Sequence, residues 1–385
     1  MLSKGKLYIS TMLVSGFILG CTSSAAAIET KARNMILMDY DTGQYLFTKD
    51  EQKMVPPASM SKLMTVYMIF EKLKDGSLSL DDTFTVSENA WRKGGAASGS
   101  STMFLSIGDK VKVGDLIKGI LIQSGNDACI VAAENIAGSE EDFAAAMQEK
   151  ARKIGLNNSS FANATGWPHP DHRMSVEDLA KLAQILIRDF PEYYPIFSER
   201  NFTYNGIKQG NRNPLLYSMS EADGLKTGHT EEAGFSLTAS AKRGDRRLIS
   251  VMTGLSSNKE RSEEADRIMN WGFREFNNYK ILKQGQKVAE VPVWFGKEKN
   301  VDLLVNQDII RTIKRNQVSN VKMTAVYDKP VKAPVKQGDK LGTVRIEIPE
   351  QEPFEVEIVA DKNIEKMGIF GRAMENIKYL LLGSK

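Results

Sequence analysis

The chain has 385 residues, with 51 Lys and Arg against 48 Asp and Glu, for a net charge of +3. A composition of 42% hydrophobic and 26% charged residues has room for two folded domains and excludes a disordered or wholly transmembrane chain. The near balance of charge leaves no basic surface built for nucleic acid.

Residues 1–27 are expected to be an export leader. Lys4 and Lys6 give a positive start, Ile9 to Leu19 a short apolar stretch, and Ala25-Ala26-Ala27 a small-residue cleavage site. Ser10, Thr11, Ser15 and Gly16 interrupt the stretch and disfavour a spanning helix. A second reading stays open, because Ile18-Leu19-Gly20-Cys21 resembles a lipobox with Cys21 lipidated. Either route takes the protein out of the cytoplasm. With only Cys21 and Cys129 present, no structural disulfide is expected, and Cys129 reads as a buried small hydrophobe.

Residues 34–39 and 44–47 read as two strands around a turn at 40–43. Pro56-Pro57 ends extended structure and suits the approach to a helix. From Met60 to Leu73 apolar residues nearly encircle a helix, which predicts its burial. Helical patterns follow at 115–123, 127–137, 140–154 and 175–190, with Gly138 and Gly155 as stops. Ser175-Val176-Glu177-Asp178 resembles a capping box, so Asp178 needs no catalytic explanation. Strands at 235–241 and 248–253 flank a turn, and a helix is predicted over 263–276. This order predicts an α+β domain over 28–280, an antiparallel sheet covered by helices.

From residue 281 to 361 the pattern becomes a small all-β domain, with strands expected at 288–295, 321–326, 342–348 and 354–359. Residues 362–385 carry five Lys or Arg and two Glu, with Ile369, Phe370, Ala373, Ile377, Leu380 and Leu381 at helical spacing. That suits an amphipathic helix on an anionic membrane surface; docking on the β domain is the other reading, and Gly368 and Gly371 weaken both.

Three motifs carry the chemistry: Ser59-Met60-Ser61-Lys62, Ser124-Gly125-Asn126 and Lys226-Thr227-Gly228. Ser-x-x-Lys recurs at Ser3, Ser256 and Ser319, but only Ser59 opens a long apolar helix. Their order is the known S-x-x-K, S-D-N, K-T-G pattern of serine acyl-transferases. Serine needs a base within reach, and Lys62, three residues on, faces the same side of a helix. Burial, or a second cation such as Lys226, lowers a lysine pKa enough for that task. Ser124 can relay a proton to the leaving amine, and the Asn126 amide can hold the substrate backbone or Lys62. Lys226-Thr227-Gly228 is expected at a sheet edge, where an extended peptide can pair and Gly228 lets it approach closely. The backbone N–H groups of Ser59 and His229 are the natural oxyanion donors, worth roughly 3 kcal/mol each. No Gly-x-Ser-x-Gly elbow, phosphate loop or metal-ligand spacing competes.

The surrounding sequences go further. Residues 57–65, 124–129 and 223–230 closely resemble the low-molecular-mass penicillin-binding proteins that are D-alanyl-D-alanine carboxypeptidases, as do 188–191, 202–206 and 292–296. The resemblance implies a penicillin-binding, serine β-lactamase-like fold at the periplasmic face of the inner membrane. It implies a carboxypeptidase that trims peptidoglycan stem peptides through an acyl-enzyme, needs no metal or cofactor, and takes β-lactams as covalent inhibitors. It makes Ser59 the nucleophile, Lys62 the base and Ser124 the relay, with Asn126, Lys226, Thr227, Gly228 and His229 binding substrate. Arg261 stands where the family places an arginine for the terminal carboxylate; a solvated helix-start residue is the alternative. A β-lactamase, an endopeptidase or transpeptidase, and a non-enzymatic cell-wall binding protein are the rival functions.

Overall fold

A computed structural model describes residues 3–9 and 28–382, so the leader's apolar stretch and Cys21 lie outside the described residues. The chain divides into two units, one formed by residues up to Arg274 and one by residues from Glu275 onward joined by the strand Ser3–Ile9.

The first unit is built on five antiparallel strands: β1 (Asn34–Asp39), β2 (Tyr45–Lys49), β3 (Ala222–Thr230), β4 (Gly234–Arg243) and β5 (Arg246–Leu255). Their order across the sheet is β3-β4-β5-β1-β2, which leaves β3 at an edge. Alternation along β1 and β5 sorts the two faces. Ile36, Met38, Ile249 and Val251 enter one core, while Met35, Leu37, Leu248 and Met252 enter the other. The first core holds helices α1 (Lys62–Lys74), α2 (Val113–Lys118), α3 (Asn126–Ala137), α4 (Glu140–Lys153) and α5 (Val176–Asp189). The second holds α6 (Asn258–Glu275) through Ala265, Ile268, Met269 and Phe273.

Three boundaries differ from expectation at places that matter for the site. Before α1 the chain makes a 3₁₀ turn, Ala58–Ser61, so Ser59 does not sit on the α-helix itself. Ala58 has φ +49°, a left-handed backbone that a continuous helix could not contain. After α2 the chain widens into a π-helical turn, Gly119–Gln123, and Ser124 follows with φ +62°. α6 begins at Asn258, ahead of its first apolar residue, so its polar opening turns are silent in a hydrophobic pattern.

Ser175 caps α5 by accepting from Asp178 N–H, but no reciprocal bond completes a capping box. The Asp178 carboxylate instead accepts from Asn158 N–H and Ser159 Oγ, tying the preceding loop to the helix start.

In the second unit, seven strands form one sheet whose core is Val, Ile and Leu from alternating positions. The Ser3–Ile9 backbone pairs antiparallel with Lys322–Lys329 at its edge, an element that a reading of these residues as leader alone does not include. The unit ends in α7 (Ile369–Leu382), on which Ile369, Phe370, Met374 and Ile377 are exposed. Met367 N–H donates to Phe295 O and Phe295 N–H to the Glu375 carboxylate, so the base of the helix is tethered while that apolar face stays uncovered. Among the described residues no helix is long and apolar enough to cross a membrane.

Candidate active site

The three motifs meet where the 3₁₀ turn, the start of α3 and edge strand β3 converge. Two glycines allow this closeness. A Cβ on Gly228 would lie 3.0 Å from Pro57 O and 3.2 Å from Ala58 Cβ. A side chain at Gly228 would therefore press on the turn that carries Ser59, in addition to any substrate. Gly166 presses from the other side with φ +78°, and a Cβ there would lie 2.0 Å from Ala58 O.

Lys62 is fully buried, and its Nζ donates to Ser59 Oγ at 2.9 Å and to Thr165 O at 2.5 Å. Burial is the chief force on this ammonium and holds its pKa down at about 8, with Arg212 pushing the same way. Lys226 Nζ donates to Ser124 Oγ at 3.0 Å and to Thr227 O at 3.3 Å. Burial first, and then the Lys62 charge, push Lys226 well below the ordinary lysine value. The hydroxyls thus fall into two lysine pairs, Ser59 with Lys62 and Ser124 with Lys226.

Asn126 opens α3, and its buried Oδ1 has no partner in the protein, Lys62 included. Its neighbour Asp127 is a buried clamp. Its carboxylate accepts from Thr102 Oγ1 at 2.6 Å, from Met103 N–H at 2.9 Å and from Leu105 N–H at 3.2 Å. Those bonds hold the loop beside Ser124 and Asn126. Thr227 is buried on β3, whereas His229 is exposed with its ring 4.1 Å from that of Phe235.

Arg261 is not solvated. It is 6% exposed, donating to Gly228 O, Ser236 O and Asn258 Oδ1, while its Nε is buried without a partner. It lines a cavity of about 580 Å³ with Arg212. Burial, and then Arg212, push the Arg261 guanidinium down to about 10.

Four contributors escaped the sequence reading. The Thr165 carbonyl and Gly166 act through backbone, which no side-chain pattern signals. His172 is buried, and because Ala162 N–H donates to its Nδ1, its Nε2 carries the proton and donates to Ser61 Oγ at 2.7 Å. Burial first, and then Lys62, hold its pKa near about 4, so the ring is neutral at pH 7. Arg212 donates to Ser101 Oγ at 2.6 Å. Cys129 is buried and its thiol is pushed up to about 12 by that burial, the environment of an inert core thiol.

Comparison with known proteins agrees over almost the full length. Residues 21–257 match the family described as D-alanyl-D-alanine carboxypeptidase, and residues 276–366 the C-terminal domain of penicillin-binding protein 5. The carboxypeptidase DacC of Escherichia coli is 38% identical over 377 residues, covering 97% of this chain and 94% of the relative. The crystal structure of penicillin-binding protein 5 from Haemophilus influenzae superposes with a TM-score of 0.76 at 35% identity, over 88% of this chain and 99% of that one. DacD of Francisella tularensis gives 0.80 at 28% identity, over 92% and 98%. With both its matched segments in the expected order and the motif residues gathered into one site, this chain belongs to the D-alanyl-D-alanine carboxypeptidase family, with the C-terminal domain of penicillin-binding protein 5.

Proposed function

We propose that Ser59 is the nucleophile of this serine D-alanyl-D-alanine carboxypeptidase, Lys62 its base and Ser124 its proton relay. The Lys62–Ser59 bond at 2.9 Å, made by a buried lysine whose pKa is held at about 8, carries this reading. Ser59 Oγ attacks the carbonyl between the two D-alanines as its proton passes to neutral Lys62. The C–N bond then breaks, and the leaving amine takes a proton from Ser124 Oγ, which recovers one from Lys62. Water attacks the resulting ester, releasing the shortened peptide and restoring the Ser59 hydroxyl. Lys226, donating to Ser124 Oγ, supplies positive potential there. Ser59 N–H and His229 N–H receive the oxyanion, and the free Asn126 Oδ1 accepts from the substrate backbone. Arg261, with an unpartnered buried Nε in a cavity that also holds Arg212, binds the terminal carboxylate together with Thr227.

A penicillin presents its carbonyl to the same serine and remains attached. The test compares D-alanine release from a D-Ala-D-Ala peptide with penicillin turnover. Peptide cleavage with slow penicillin turnover is expected; fast penicillin hydrolysis beside an idle peptide would establish the β-lactamase reading instead.

The family relationship makes this an exported cell-envelope protein. We further propose that residues 1–27 are removed on export, taking the edge strand Ser3–Ile9 from the β unit with them, and that α7 holds the enzyme on the membrane surface. The exposed Ile369, Phe370, Met374 and Ile377 support the second point. Ile364 is a core residue of the β unit bridged to Val335, so a truncation that spares the fold must begin at Ile369. Chains ending at Gly368 are expected in the soluble fraction and full-length chains with the membranes. If both stay membrane-bound, lipid on Cys21 is the anchor.

A further inference from the structure

Beyond the C-terminal end of β3 lies a cavity of about 420 Å³ lined by Arg33, Lys53, Pro56, Arg173, Glu232 and Ala233, among others. One wall is the segment leading into the Ser59 turn, bridged to Arg173's neighbour through Val55 and Met174. The other is the turn between β3 and β4. Arg173 reaches across: its Nη1 donates to Glu232 Oε1 at 2.8 Å while its Nε is held by Pro170 O at 3.1 Å. Arg33 donates to the carbonyls of Gly254 and Glu232, so its charge meets no carboxylate through those bonds. Three cations therefore face a single lining carboxylate.

The cavity is within one peptide's reach of the reaction. Pro56 stands three residues before Ser59 and Glu232 three after His229, and three residues span at most about 10 Å. Direction follows from the proposed placement of the terminal carboxylate at Arg261, which bonds Gly228 O. An extended peptide on the β3 edge with its C-terminus there runs its N-terminal part past His229 and Thr230 toward the turn. At roughly 3.3 Å per residue, the second or third residue before the scissile bond arrives over the cavity.

We infer that this cavity is an acyl-side subsite that takes a carboxylate from the second or third residue before the scissile bond, with Arg173 and Lys53 recognising it. Glu232 occupies Arg173 until that carboxylate displaces it. The subsite rests on the reading in which the peptide lies along β3.

Two synthetic peptides ending in D-Ala-D-Ala test this, identical except that one carries carboxylates and the other carboxamides on both the second and the third residue before the scissile bond. The wild-type enzyme is expected to favour the carboxylate by about fivefold in kcat/KM, chiefly through KM and less at high salt, as for a partly exposed ion pair. The double variant Arg173→Gln, Lys53→Gln is expected to bring the ratio to about 1, and Glu232→Gln to raise it. Competition of the two peptides against penicillin labelling reads binding without turnover, and thermal melting checks that the variants fold. An enzyme that labels with penicillin yet treats both peptides alike, or whose preference survives in the double variant, overturns the subsite alone. A chain that neither labels nor cleaves overturns the proposed function, and the subsite with it.

Discussion

Ser59→Ala is expected to abolish covalent penicillin labelling and to lower D-alanine release by at least about 10⁴-fold, the scale of loss when a nucleophile acting as part of a unit is removed. No neighbouring hydroxyl is placed to take over. Ser61 Oγ is buried and engaged by His172, and Ser124 Oγ is engaged by Lys226. The substitution deletes one oxygen from a half-buried turn. Lys62 keeps its bond to Thr165 O, so the fold and melting temperature are expected to change little. Intact-protein mass spectrometry after incubation with penicillin checks the first outcome. An adduct that persists undiminished in the variant would place the nucleophile elsewhere and remove the basis for every role assigned around it.

The sequence was most informative where side chains repeat or must be of one type. The apolar encirclement of residues 60–73 gave a buried helix, and the strand-like runs that form β1, β4 and β5 gave an antiparallel sheet covered by helices, because burial is written directly into residue type. The pairing of Ser59 with Lys62 was legible for the same reason, although a 3₁₀ turn rather than an α-helix delivers it. What stayed hidden is carried by backbone or by long-range packing. The hairpin at Asn201–Tyr204 and Ile207–Gly210 turns on Asn205-Gly206, both at positive φ, a signal present in the sequence but attached only to the family likeness. The role of Asp127 was hidden because nothing local reveals that residues 102–105 will fold over its carboxylate. Burial, or a second cation such as Lys226, was expected to depress the Lys62 pKa. In the structure burial does most of it, with Arg212 an assisting cation.

That burial makes Lys62 the second decisive position. With its pKa moved from 10.5 to about 8, roughly one molecule in ten carries the neutral amine at pH 7, against about one in 3000 for an ordinary lysine. Acylation by penicillin should rise about tenfold per pH unit below 8 and level off above it. Lys62→Arg cannot supply a neutral base, since a guanidinium holds its proton throughout that range, and a loss of about 10³-fold or more is expected with the rising limb abolished. Lys62→Met separates chemistry from stability. The thioether fills the same buried channel without a charge to desolvate, so acylation fails while the fold gains. The sign follows from the depressed pKa: the folded state gives up this proton before the unfolded state does. Burying the ammonium therefore destabilises fully below pH 8, on the order of 3 kcal/mol, and this penalty fades as pH rises toward 10.5. Lys62→Met should consequently melt higher than the wild type at pH 7, with the difference shrinking by pH 10. A methionine variant that still acylates with the wild-type pH profile would show that the base is another group.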